Sequence, residues 1–385
     1  MSITFLHTAD WHVGKPFAGI SDTDKRGIVR QERLQAIRRL GVVARDRGAA
    51  FVLVAGDLFD SPRPTQTEVA SLCAAVHTIG LPVVAIPGNH DHAGEGSVWH
   101  QSFFHGLAAS QAPNLRLALG PDPISIGGAT IFPCPLARRH EATDTTAWLR
   151  NPGVYEAHDG PRIVLAHGSV QGFAGGGDED GVHEPNRIDL DRLPVDHLDY
   201  IALGDWHGAK NVAAKVWYSG TPEPDRFAKG DTHSPGRVLL VTAARGALPH
   251  VEEISTGRIG WHRHTFQFGH DASLDLLRED IRGLIGHEAQ RDLLELELHG
   301  SLGLTALDHL DHFLAELEAR LLRIKLTNNV VVAPTDEELE QLSKRPDAPL
   351  VSRVATRLIE TVRADGPDAA KARLALRELH ALGLS

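Results

Sequence analysis

Asp-Trp-His occurs twice in this chain, at residues 10–12 and 205–207. Each copy follows an apolar run, "ITFLHT" before the first and "YIALG" before the second. In an extended chain, residues i and i+2 point to the same side. Asp10 with His12, and Asp205 with His207, would each aim a carboxylate and an imidazole at one point, with Trp11 turned away into packing. Three more polar clusters end apolar runs: Gly56-Asp57 after "AFVLVA", "GNHDH" at 88–92 after "PVVAIP", and His167 in "LAHG". Ligands bind at the carboxyl edge of parallel sheets. One histidine after a strand is usually a hydrogen-bonded core residue, but five polar clusters at five strand ends point to a site. Asp10, His12, Asp57, Asn89, His167, Asp205 and His207 form an oxygen and nitrogen ligand set without cysteine, suited to Mn²⁺, Fe²⁺ or Zn²⁺. The set exceeds what one ion needs. It fits two ions sharing a bridge, a standard device for in-line attack on a phosphate ester.

The elements that must position these residues can be read from periodicity. "ITFLHTADWH", "AFVLVAGD" and "PVVAIPGNHD" read as strands, with helices over 25–48 and 65–79 between them, which suggests parallel β-α-β units. Further strands follow at "ATIFPCP", "RIVLAHG", "DYIALGDWH", "KVWYSG" and "GRVLLVTA". The last of these lack intervening helices and fit an antiparallel or mixed edge. The fold class is α/β: a β-sandwich flanked by helices over 1–254, a small α+β domain over 255–334, and a helical tail over 335–385. Thr335 and Glu338 are spaced as a capping box. Val351, Val354, Ala355, Leu358, Ile359 and Val362 form one helical stripe, suited either to its own domain or to a partner. "GGGDEDG" at 175–181 reads as a mobile loop.

Composition narrows the class. Apolar content is 42% and charged content 23%, as in soluble globular proteins. Two cysteines exclude a disulfide framework and a thiolate zinc site, and suit a reducing compartment. The start of the chain does not read as a signal peptide, and no apolar run approaches the ~18 residues of a membrane span. The expected location is cytoplasmic. A net charge of -11 argues against indiscriminate nucleic-acid binding. Basic residues Lys25, Arg26, Arg30, Arg33, Arg38, Arg39, Arg45 and Arg47 on the helix at 25–48 could meet phosphates or form a solvated face. His100, His105, His233 and His262 read as surface residues.

"HTADWH", "AGDLFD", "PGNHDH", "LAHG" and "ALGDWHG" together resemble the calcineurin-like metallophosphoesterases, and among them the SbcD and YhaO-like DNA repair nucleases. "YSGTPEPDRF" at 218–227 is similar to the stretch after their last metal motif. The resemblance implies one metal on Asp10, His12, Asp57 and His207. It implies a second on Asp57, Asn89, His167 and the residue at 205. His90 would assist at the scissile phosphate, with Asp91 as its orienting partner. Two divalent ions are implied, Mn²⁺ first, with Mg²⁺ or Fe²⁺ as alternatives. Implied partners are DNA, an SMC-like ATPase of the SbcC type and a second copy of the chain, with no membrane. The resemblance also implies a bacterial, nucleoid-associated protein.

One position departs from the family. Gly-His-x-His is usual where this chain has Gly-Asp-Trp-His, so Asp205 replaces a histidine. If Asp205 ligates, the site loses one unit of positive charge and becomes harder, favouring Mn²⁺ or Mg²⁺. The expected function is metal-dependent DNA phosphodiester hydrolysis in repair or end processing. The alternatives are a phosphodiesterase for small substrates such as cyclic nucleotides, and a catalytically weak scaffold that binds DNA ends.

Overall fold

The computed structural model describes residues 2–170, 185–228, 234–269, 271, 273–285 and 289–384. The loop expected at 175–181 and the surface position of His233 lie outside them. The chain forms two compact units, Met1–Ile259 and Gly260–Ser385.

The first unit begins with β1 (Ser2–Thr8), α1 (Thr23–Asp46), β2 (Val52–Ala55), α2 (Gln66–Ile79), β3 (Val83–Ile86), α3 (Ser102–Gln111) and β4 (Leu115–Leu117). There follow β5 (Ile124–Ile126), β6 (Ala129–Cys134), β7 (Arg162–His167), β8 (Ser169–Val170), β9 (Arg187–Ile188) and β10 (Tyr200–Gly204). It ends with β11 (Lys210–Ala213), β12 (Val216–Tyr218), β13 (Arg237–Ala244) and β14 (His250–Ser255). The helix ends follow from local chemistry. The Asp22 side chain accepts from the backbone N–H groups of Asp24 and Lys25 to start α1. Thr65 and Glu68 form a capping box at α2, and Gly80 ends that helix at φ 72°.

Two six-stranded sheets result, ordered β14-β13-β1-β2-β3-β4 and β11-β12-β10-β7-β6-β5. β1 to β4 are mutually parallel. β6, β7, β10 and β12 are parallel in the second sheet. β13 and β14 give the first sheet an antiparallel edge, and β11 and β5 border the second in the same sense. Phe5, Phe51, Leu53, Ile86, Ile163, Leu165 and Tyr200 fill the space between the sheets. Leu40, Leu72, Val76, Trp99 and Phe104 seal the first sheet under its helices. Each such side chain contributes roughly 1.5–3 kcal/mol on burial. The sheets approach so closely at their carboxyl ends that a Cβ on Gly204 would lie 1.9 Å from the Ala55 carbonyl oxygen.

The second unit comprises β15 (Gly260–Phe268), α4 (Ser273–Leu284), β16 (Asp292–Leu302), α5 (Leu304–Arg320), β17 (Arg323–Val332), α6 (Asp336–Ser343), α7 (Pro349–Arg363) and α8 (Ala369–Leu384). Its three strands are parallel, in sequence order. Leu274, Leu277 and Ile281 of α4 and Leu307, Leu310 and Leu317 of α5 cover the sheet. Leu304, Leu339, Ala355, Ile359 and Leu376 join the last helices to α5. Glu338 serves two helices at once: its carboxylate accepts from Thr335 N in the capping box and from Leu304 N and Thr305 N at the start of α5.

Gly204→Ala is expected to destabilise the fold by about 1–3 kcal/mol through overpacking against a backbone carbonyl. Gly106→Ala, at an open position in α3 with no atom near the new methyl, should instead gain about 0.5–1 kcal/mol. Urea midpoints of the two variants measure both.

Candidate metal centre

The carboxyl ends of β1, β2, β3, β7 and β10 carry the residues singled out by the sequence, and the two sheets bring Asp10, His12, Asp57, His90, His167 and His207 together, with Asp205 beside them. Asp10, His12 and His207 place ligand atoms within 4.8 Å of one another. So do Asp10, Asp57 and His167, and so do His12, Asp57 and His90. The three groups overlap through Asp10, His12 and Asp57, so they form one cluster. Asp10 and His167 are 0% exposed, His12 1% and Asp57 2%.

Convergence has a different cause from the one the sequence suggested. β1 stops at Thr8, and Asp10 and His12 are not extended: their φ angles are 55° and 43°. Asp57 and Asp205 are also left-handed, at 56° and 103°. This conformation costs non-glycine residues on the order of 1–3 kcal/mol and persists where surrounding structure enforces it. Here the loops enforce it on each other. Asp10 N donates to Gly56 O, His12 N to Asp57 O and Val13 N to Leu58 O, at 2.9–3.1 Å. Asp205 N donates to both carboxylate oxygens of Asp10. Trp11 is buried as expected, with its indole N–H on Thr8 Oγ1.

Two of the imidazoles, those of His167 and His207, are oriented by a partner on their far side. His167 Nδ1 lies 2.7 Å from Ala55 O. A carbonyl only accepts, so Nδ1 carries the proton and Nε2 presents its lone pair near Asp57 and Asp205, at 3.7 and 3.8 Å. His207 Nδ1 lies 3.0 Å from the buried Asp225 carboxylate. His12 Nε2, His167 Nε2 and Asn89 Oδ1 are buried without a hydrogen-bond partner among the described residues. Burial pushes the Asp10 and Asp57 carboxyls well above their ordinary range and pulls the His12 imidazole well below its own. Buried lone pairs and destabilised carboxylates at one point are the donor set that a divalent cation satisfies. Asp205 keeps its carboxylate beside this set, where Oδ2 accepts from Ser169 Oγ at 2.9 Å.

Asp91 does not orient His90. Its carboxylate oxygens accept from Gly88 N and Phe59 N, at 2.7 and 3.1 Å, and pin the 88–92 loop to the 57–60 loop. His90 Nδ1 instead meets Asp60 O at 3.0 Å, and His90 N donates to Asp57 Oδ1. Close packing explains the glycine of "GNHD": a Cβ on Gly88 would fall 2.2 Å from Asp57 Oδ1.

Two supports were missed in the sequence. Arg33, read there as one of several basic residues on α1, is buried. Its guanidinium donates to the carbonyls of Asp10, Trp11 and Glu223, tying the first ligand loop to the 221–226 segment. Asp225 gathers His207, Lys15 and Arg226 around one carboxylate. Burial alone would raise it, but His207, Arg33 and Lys15 hold it well below its ordinary range. "TPEPDRF" was the available signal, because an acidic residue in a strand-free stretch after the last ligand motif has no other evident task. His7 and His92 stay outside the centre. His7 is buried against Tyr200 OH, and burial lowers it to about 3. His92 Nδ1 accepts from Gly94 N. His100 and His105 are exposed, whereas His262 is partly buried and paired with Asp292 at 3.0 Å.

A sandwich of two mixed sheets with clustered Asp and His donors at its carboxyl edge is the arrangement of a metallophosphoesterase. Residues 3–209 match the calcineurin-like phosphoesterase family, and the chain belongs to it; it is a metal-dependent phosphoester hydrolase. It is similar to the SbcD component of the nuclease SbcCD of Escherichia coli (strain K12), at 26% identity over 281 residues, covering 65% of this chain and 67% of that one. In shape it is similar to TT1561 of Thermus thermophilus, at 16% identity and a TM-score of 0.41, covering 66% of this chain and 100% of that one. It is also similar to GAP50 of Plasmodium, at 13% identity and a TM-score of 0.36, covering 67% and 91%. Among the described residues no helix is long and apolar enough to cross a membrane.

Asp225→Asn should weaken Mn²⁺ binding by about 10–100-fold in calorimetry, because His207 loses the carboxylate that fixes its tautomer. Protons compete with the cation for Asp10 and Asp57, whose raised pKa values favour the neutral form. The rise in melting temperature caused by Mn²⁺ should therefore grow as pH rises from the ordinary carboxylate value of 3.8 toward neutrality.

Proposed function

We propose that this protein is a DNA nuclease that hydrolyses phosphodiesters at DNA ends. Asp10, His12, Asp57 and His207 would hold one divalent cation; Asp57, Asn89, His167 and Asp205 would hold the other. Bound there, the cations would offset phosphate charge and activate water for in-line attack. The observation that carries the reading is the buried, overlapping donor cluster in a chain similar to a nuclease component. His90 is one-third exposed at the rim of that cluster. With Nδ1 committed to Asp60 O, its Nε2 is the atom that can meet a phosphate oxygen or pass a proton to the leaving oxygen. Asp91 supports the loop that carries His90.

Residues 255–334 are read as a capping domain and 335–385 as a tail for an SMC-like ATPase of the SbcC type. Leu350 and Val354 on α7, 73% and 43% exposed, support a partner surface there. Mn²⁺ is the proposed ion, because Asp205 adds a hard oxygen donor where the family usually has imidazole nitrogen.

The test is degradation of end-labelled linear DNA with Mn²⁺, Mg²⁺ or EDTA, beside His90→Ala and a small chromogenic phosphodiester. Mn²⁺-dependent DNA cleavage that falls about 10²–10⁴-fold in His90→Ala is expected. Cleavage of the small ester alone would replace DNA with a small substrate. Metal binding without either cleavage would leave a scaffold. Asp205→His should shift the metal-activity profile toward softer ions, and an unchanged profile would refute a ligating Asp205.

A further inference from the structure

Asp225 is almost fully buried, yet three cationic or imidazole side chains share its two oxygens. Lys15 Nζ lies 2.6 Å from Oδ2 and His207 Nδ1 lies 3.0 Å from Oδ1. Arg226 meets both oxygens, with Nε 3.1 Å from Oδ1 and Nη2 3.2 Å from Oδ2. Arg33, also buried, stands close enough to act on Asp225 electrostatically, while its own hydrogen bonds go to carbonyl and hydroxyl oxygens. One anion therefore holds several cations at this edge of the site. Arg226 is the accessible member, with its side chain 51% exposed. It is also next to the ligands: Nη2 lies 3.1 Å from His207 Nε2. Asp10 and Asp205 both add to its stabilisation as a cation.

We propose that Arg226, braced on Asp225 with Lys15 beside it, binds a non-bridging oxygen of the substrate phosphate at the His207 edge. It restores the positive charge that Asp205 removes from the centre. The geometry suits this role. The guanidinium is a fixed fork of five donors, and Asp225 engages one side of it. Nη2 meets His207 Nε2, the lone pair a cation would take, so a bound cation would free that N–H for an oxygen drawn to the Asp10–His12–His207 group. A lysine alone at this position would lack the fork, and a neutral side chain would leave phosphate attracted only by the weaker centre that Asp205 creates. The proposal rests on the phosphoester reading of the centre, but not on DNA as the substrate.

The test uses the full chain loaded with Mn²⁺, with inorganic phosphate as ligand and bis(4-nitrophenyl) phosphate as substrate. Arg226→Met should weaken phosphate binding and raise KM by about 10–100-fold, the effect of losing a charge-assisted hydrogen bond. Mn²⁺ affinity, measured by calorimetry without substrate, should stay within about 3-fold, because Asp225 still holds His207. Arg226→Lys should recover part of the phosphate affinity. Three results would overturn the proposal: unchanged phosphate binding in Arg226→Met, equal loss of Mn²⁺ and phosphate affinity, or no phosphate binding by the Mn²⁺-loaded wild type. Failure on DNA with success on both small probes would remove the nuclease reading and leave Arg226 in its role.

Discussion

Asp10 and Asp57 are buried next to each other, and burial of like charges is the constraint that the rest of the first unit answers. An ionised carboxylate loses several kcal/mol of solvation on leaving water. Two at one point are tolerated only where cations or protons compensate them. The protein places imidazoles around the pair and a third carboxylate, Asp205, beside it, and holds the backbones of Asp10, His12, Asp57 and Asp205 in left-handed turns. Those turns are themselves unfavourable, so neighbouring loops lock each other. The 10–13 segment is bonded along the 56–58 segment, Asp91 staples the 88–92 loop to Phe59, and Asp205 N is bound by Asp10. Strain and charge are concentrated at one end of the sandwich, while apolar packing between the sheets supplies the stability that sustains them.

A second ring of residues keeps that end from relaxing. Arg33 reaches from α1 through the core side of the ligand loop to Glu223 and Thr221. Glu223 accepts from Arg258 N and Ile259 N and pairs with Arg39. The helix, the ligand loop and the 221–226 segment thus move together or not at all. Arg33 leaves the solvated face because it donates to the carbonyls of Asp10, Trp11 and Glu223, and Arg39 is drawn partly inward by the Glu32 and Glu223 carboxylates and Thr256 O. Arginine alone offers enough N–H groups to satisfy several carbonyls from one position.

Much of this was legible in the sequence for a simple reason. Apolar runs ending in Asp, Asn or His mark strand ends, and strand ends at the carboxyl edge must meet. The small α+β unit expected over 255–334 is present too, as β15, α4, β16, α5 and β17. What stayed hidden were interactions that cross between distant segments without leaving a local pattern. Asp91 looked like the orienting partner of His90 by adjacency, but a turn carries its carboxylate back to Gly88 N, and Asp60 takes that place. The i and i+2 argument for Asp10 and His12 reached the right convergence through the wrong backbone. Periodicity describes strands, and these residues lie just past one. Ser169 had no periodic or spacing signal, and Asp225 had only its place in the stretch after the last ligand motif, because each acts through contacts made only after folding.

The pairing of β1 with β13 has a consequence for how the protein comes into being. Ser2 is matched with Ala244 in the register, so the first strand of the unit waits for one of its last. Meanwhile His207 closes a cluster begun at Asp10. On the ribosome, neither the first sheet nor the ligand cluster can be completed until most of the first unit has emerged. Contacts of such long sequence separation form slowly. A nascent chain ending before β10 therefore lacks Asp205 and His207, and the Asp10–His12–His207 group closes only after that strand has emerged.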